Sequence, residues 1–163
     1  MRGIPTDEKS AVKLWEHNAF AFQDWWITEF EAFSTTFGKK GADKGVDGIA
    51  KYALPGAEIK VAFQVKGGEK VQSKDIDALL GAMVKHKCEL GVFLSRVEAT
   101  KPMLETIAQV GFYDHNGFSF PKLQLLTLQE FFAGKRPQLP ATNITFKSAE
   151  TIGKGGFQEE LGI

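Results

Sequence analysis

The chain has 163 residues, about one domain, which is long enough to bury a core without disulfides or a structural metal. No apolar run reaches the roughly 18 residues of a membrane span, the N-terminus lacks a charged-then-apolar signal pattern, and the lone Cys88 excludes an internal disulfide; together these point to a reducing, cytoplasmic setting. Lys plus Arg and Asp plus Glu each number 20, so the net charge is zero and the chain lacks the global basic balance common among DNA-binding domains.

Arg2 to Asp7 reads as an extended lead-in. Residues 8–16 suit a short amphipathic helix with Ala11, Val12, Leu14 and Trp15 on its apolar side. A second helix is expected from Phe20 to Phe37, because Phe22, Trp26, Phe30 and Phe33 recur at helical spacing. Gly38 to Lys44 forms a charged, glycine-bearing loop. Residues 46–53 and 57–66 read as two strands joined by a Pro55-Gly56 turn. In the second strand Ile59, Val61, Phe63 and Val65 face one way, and Lys60, Ala62, Gln64 and Lys66 the other. Ser73 is the expected N-cap of a helix reaching Lys87, with Asp75 and Asp77 in its positive first turn. The apolar run Leu90 to Ser95 fits a strand covered on both faces. Thr100 caps a helix with Pro102 just inside it, ending near Val110-Gly111. Leu123 to Leu126 is a further strand, and Leu128 to Ala133 a helix closed by Gly134. This order implies an α/β sheet flanked by helices on both faces. The domain is expected to span residues 1–136, followed by a C-terminal tail, 137–163, loosely ordered or packed on it.

Charge is unevenly distributed: residues 39–87 carry 10 Lys against 6 acidic side chains. The same segment holds the most informative constellation. Asp47 lies between Gly45 and Gly48 where a glycine loop enters a strand, and by position alone it suits a turn aspartate bonding its own backbone. Gln64 and Lys66, two apart, leave the same face of the next strand roughly 7 Å from each other. A hairpin about Pro55-Gly56 pairs residues whose numbers sum to about 111, which sets Asp47 opposite position 64. Carboxylate, amide oxygen and ammonium then converge.

Such a cluster suits phosphodiester hydrolysis. A hard cation such as Mg²⁺ or Mn²⁺ takes oxygen ligands, here the Asp47 carboxylate, the Gln64 amide oxygen and the Val65 carbonyl. Lys66 sets an ammonium near the attacking water or the scissile phosphate. One charged ligand makes a weak site, so a DNA phosphate is expected to complete the coordination. Lys39, Lys40, Lys44, Lys70 and Lys74 flank the site and are candidates for phosphate contacts, although each taken singly fits a solvated lysine.

At these residues the chain resembles the PD-(D/E)XK nucleases of the restriction-endonuclease-like fold, closest to the Mrr-type branch in which Gln replaces the second acid (Asp…Gln-X-Lys). The resemblance extends to Gly3-Ile4-Pro5, Phe22-Gln23-Asp24-Trp25-Trp26, Lys40 to Gly48, Gln64-Val65-Lys66-Gly67-Gly68, Gly91-Val92-Phe93-Leu94, Thr100-Lys101-Pro102-Met103 and Gly111-Phe112-Tyr113. Together these are similar to the endonuclease-like segment at the C-terminal end of bacterial DNA-methyltransferase-type proteins. The resemblance implies a mixed β-sheet flanked by helices, a metal at Asp47 and Gln64, and Lys66 in catalysis. It also implies a first-helix Glu near the metal; Gln23 stands there, which removes a charge, and Glu29 is a less favoured substitute.

Other candidates carry less. His17, His86 and His115 show no metal-ligand spacing. Asp43 fits a surface group. Gly153-Lys154-Gly155-Gly156 lacks the strand and spacing of a phosphate loop. Trp25 and Trp26 suit the core, and Cys88 an inert thiol. The expected function is a metal-dependent endonuclease acting on double-stranded DNA, in a restriction-modification system and within a larger parent protein carrying a methyltransferase or recognition module. A homodimer fits cleavage of both strands. The alternatives are a non-catalytic DNA-binding or interaction module retaining the fold, and a structure-specific nuclease of junction-resolvase type.

Overall fold

The structure is a computed structural model that describes residues 4–30, 32–34 and 46–140. Helices α1 (Glu8–His17) and α2 (Ala19–Thr28) precede the short strand β1 (Phe33–Ser34) and the strands β2 (Gly48–Leu54) and β3 (Ala57–Lys66). Helix α3 (Ser73–His86), strand β4 (Leu90–Ser95) and helix α4 (Lys101–Val110) follow, then β5 (Phe112–His115), β6 (Phe118–Pro121), β7 (Leu123–Thr127) and α5 (Leu128–Phe132).

The main sheet has the order β1-β2-β3-β4-β7. It is mixed: β1, β2 and β3 pair antiparallel, whereas β3–β4 and β4–β7 are parallel. A tight turn at Pro55-Gly56, with Gly56 at φ 79, joins β2 to β3. The parallel pairs need crossovers, which α3 and α4 supply. Helices cover both faces, as β4, buried along its whole length, demands. Phe22, Trp26, Ile27 and Phe131 pack on the face carrying Ile59, Val61, Phe63 and Val65. Ile76, Leu79, Met83 and Met103 pack on the other, with Ala62, Phe93 and Leu123.

The first face is aromatic: the Phe30 and Phe63 rings stack at 5.3 Å, and Trp26 meets Phe22 edge-on at 5.6 Å. Trp26 is a core residue as expected, and Trp25, partly buried, stacks on Phe132.

Two expectations about the elements are corrected, and one further element is added. The second helix stops at Thr28, and Phe33 lies in β1 paired with Ile49. Helical spacing continues past that point, but the Tyr52 hydroxyl donates to the Phe30 carbonyl (2.8 Å) and edge pairing with β2 takes up the chain. The N-cap of α3 is Gln72, with Ser73 the first helical residue, because the Gln72 amide donates to Asp75 Oδ2 (2.8 Å). Residues 112–121 form a β5–β6 hairpin around Asn116-Gly117, both at positive φ, 48 and 88. Asn-Gly is the turn pair such a connection favours, so its signal stood in the sequence unread.

Beyond α5, Gln138 exchanges two hydrogen bonds with the Gln124 side chain on β7 (2.7 and 2.9 Å), and Leu139 packs against the core. Residues 141–163 of the expected tail lie outside the described residues. Among the described residues no helix is long and apolar enough to cross a membrane.

Candidate active site

The carboxyl end of β3 carries the constellation. Gly48 pairs with Phe63, so the register sum is the anticipated 111 through the last paired residue, next to Asp47. The Asp47 amide donates to the Phe63 carbonyl (2.7 Å), so Asp47 and Gly48 both meet Phe63 and the ladder is offset at its end. Asp47 Oδ2 then accepts from the Val65 amide (2.8 Å). The carboxylate is thus pinned to the edge of β3 by the strand it faces.

Gln64 follows Ala62 onto the face covered by α3. Its Oε1 is shielded from solvent and has no hydrogen-bond partner among the described residues. A buried acceptor left unpaired costs about 1–3 kcal/mol, so this oxygen is a candidate ligand atom. Val65 turns its side chain into the aromatic core. Its carbonyl direction follows from its neighbour: the Arg96 amide donates to the Lys66 carbonyl (2.9 Å), which directs Lys66's peptide groups toward β4. Alternation along the strand sends those of Val65 to the opposite edge, where Asp47 already takes the N–H. The Val65 carbonyl therefore lies on the Asp47 side.

Lys66 carries its Nζ 3.7 Å from Asp75 Oδ1 in the first turn of α3. Burial pushes the Asp47 carboxyl up to about 6, and the Val65 amide and the Lys66 ammonium only partly offset it. A desolvated carboxylate beside a cation, and an amide oxygen unpaired among the described residues, are perturbations of the sort that gather at functional sites. The Asp47 carboxylate, the Gln64 amide oxygen and the Val65 carbonyl belong to the same strand end, and oxygens are the ligands a hard divalent cation takes. Among the described residues no three His, Cys, Asp or Glu side chains come together to hold a metal; in this donor set the carboxylate is that of Asp47.

The other expected residues divide. Lys70 and Lys74 are exposed on the loop after β3 and the first turn of α3. Lys39, Lys40 and Lys44 lie outside the described residues, as does Asp43. Gln23 is half-buried on α2, whose buried residues pack against Phe63 and Val65, the face opposite Gln64 and Lys66. No hydrogen bond among the described residues joins it to the site, so its role rests on the resemblance alone. Glu29 caps the C-terminus of α2 and is exposed.

Two features escaped sequence reasoning. One is Asp75, whose acidic type was read as complementing the α3 dipole. The other is a clamp on Gly67. A Cβ on Gly67 would overlap the Trp15 indole, and Arg96 lies over that indole (5.4 Å) while donating to the Gly67 carbonyl (3.3 Å). Gly67→Ala is therefore expected to cost about 1–3 kcal/mol, read as a lower urea midpoint. A variant as stable as its parent would mean that the indole moves aside freely.

The mixed sheet, the helices on both faces and the strand-end constellation define a restriction-endonuclease-like α/β domain. The chain belongs to the Mrr_cat restriction endonuclease family, whose model matches residues 11–131, from within α1 to within α5. The match includes Asp47, Gln64 and Lys66. No curated protein and no solved structure gave a match.

Proposed function

We propose that this domain is a divalent-metal-dependent endonuclease that hydrolyses phosphodiester bonds in double-stranded DNA, serving restriction-modification as part of a larger protein with its own recognition module. The supporting observation is the buried Gln64 Oε1, without a partner among the described residues, on the strand end to which Asp47 is bonded. Asp47, Gln64 and the Val65 carbonyl would hold Mg²⁺ or Mn²⁺. The bound cation supplies Lewis acidity at the phosphate and a lowered pKa for water. Asp47 contributes the charge, and Gln64 a neutral oxygen that costs no further carboxylate repulsion. Lys66 holds a positive charge where negative charge develops at the phosphate. Lys70 and Lys74 orient the backbone of the duplex.

Calorimetric titration with Mn²⁺ tests this reading. The parent is expected to bind the ion, more tightly with DNA present. Gln64→Leu is expected to weaken binding at least about tenfold, since it removes a ligand without adding a charge. Chelation should stop cleavage and Mg²⁺ restore it. The single carboxylate among the donors favours a second reading, a DNA-binding module without catalysis. Absence of Mn²⁺ binding even with DNA present would select it and sink the first.

A further inference from the structure

We infer that Asp75 is the positioning residue for Lys66, holding the ammonium at the strand end before substrate arrives. The inference rests on Lys66 being the catalytic lysine. Lysine has a long, freely rotating stem, and fixing it costs side-chain entropy. Asp75 is suited to remove that freedom because its own carboxylate is fixed. The Asp75 amide donates to the Gln72 carbonyl (2.9 Å), and Asp75 Oδ2 accepts from the Gln72 amide (2.8 Å). The remaining oxygen, Oδ1, faces Lys66 Nζ at 3.7 Å.

Burial is asymmetric: the Asp75 side chain is 14% exposed and that of Lys66 42%. The buried partner therefore holds the exposed one. The helix carrying Asp75 is also anchored to the strand carrying Lys66. At its far end, Lys60 Nζ on β3 donates to the His86 carbonyl (2.7 Å), and the Lys60 amide donates to Glu89 Oε1 (2.8 Å). Strand and helix thus form one frame, with Lys66 held to Asp75 at its open end. A pair this exposed adds little to stability. Its consequence lies in orientation, where a small misplacement of a reacting group is costly.

Asp75→Asn separates the two tasks of the carboxylate, because the amide oxygen still accepts from Gln72 while the charge facing Lys66 is lost. The expected result for cleavage of supercoiled plasmid is a kcat lowered roughly tenfold, a KM unchanged within about twofold, and an unaltered thermal midpoint in metal-free protein. Asp75→Glu, which restores the charge, should recover most of the kcat. Parental kcat in Asp75→Asn, or a kcat loss accompanied by a matching loss of thermal midpoint, overturns the inference. Lys66→Ala run in parallel distinguishes the failures. If Lys66→Ala is inactive while Asp75→Asn is parental, only the positioning role falls; if Lys66→Ala cleaves like the parent, the catalytic reading falls and Asp75 with it.

Discussion

Asp47→Asn is expected to abolish DNA cleavage, a loss of at least about a thousandfold, while making the metal-free protein more stable at pH 8. Both effects have one cause. Burial pushes the Asp47 carboxyl from its ordinary 3.8 up to about 6. A carboxyl raised in the folded state favours folding in its neutral form. That contribution is fully present below about pH 4 and is lost as pH rises through about 6. A shift of about two pKa units corresponds to about 3 kcal/mol, of which about 2 kcal/mol is expected after partial solvent screening. Asn stays neutral at every pH and its oxygen still accepts from the Val65 amide, so it avoids the cost of ionisation. Calorimetric melting at pH 4, 6 and 8 should show the parent falling below the variant only at the higher values. Mn²⁺ should raise the melting point of the parent and leave the variant unmoved. If the variant melts at or below the parent at pH 8, the carboxylate is not desolvated as its environment indicates.

Lys66→Ala should lower kcat by about 10²–10⁴-fold and leave the fold intact. Lys66 lies at the end of β3 with its head partly in solvent, and Val65, not Lys66, fills the core there. DNA affinity measured in Ca²⁺ should change far less than the rate. A second signature follows from the charge balance: the ammonium holds the Asp47 pKa down, so removing it should move the pH-dependent loss of stability to higher pH. A variant that cuts DNA like its parent removes Lys66 from the chemistry. A variant that cuts poorly because it is unfolded would instead show a collapsed thermal transition.

Much of this site is local in the chain. Asp47, Gln64 and Lys66 belong to a single hairpin, so a turn at Pro55-Gly56 and the two-residue strand period suffice to bring them together, and the observed Gly48–Phe63 pairing agrees. Asp75 is different. Nine positions separate it from Lys66, across a glycine-bearing loop, and its first-turn position had a sufficient explanation in the helix dipole. Only the docking of α3 on β3 turns one of its oxygens to the lysine. The Trp15–Gly67–Arg96 clamp likewise joins α1, the end of β3 and the end of β4, which no periodicity connects. Gln23 marks the converse: a position suggested by resemblance that no hydrogen bond among the described residues ties to the site.

By itself the chain determines β2, β3, β4 and β7, most of its helices, the β2–β3 register, and the carboxylate–amide–ammonium set as a candidate. These follow from side-chain periodicity and from steric preferences at glycine and proline, which act over a few residues. The tertiary structure decides where α2 yields to β1, how deeply Asp47 is desolvated, that the Gln64 oxygen finds no donor among the described residues, and which carboxylate faces Lys66. Those properties depend on burial and on partners distant in sequence, and neither exists until the helices close over the two faces of the sheet.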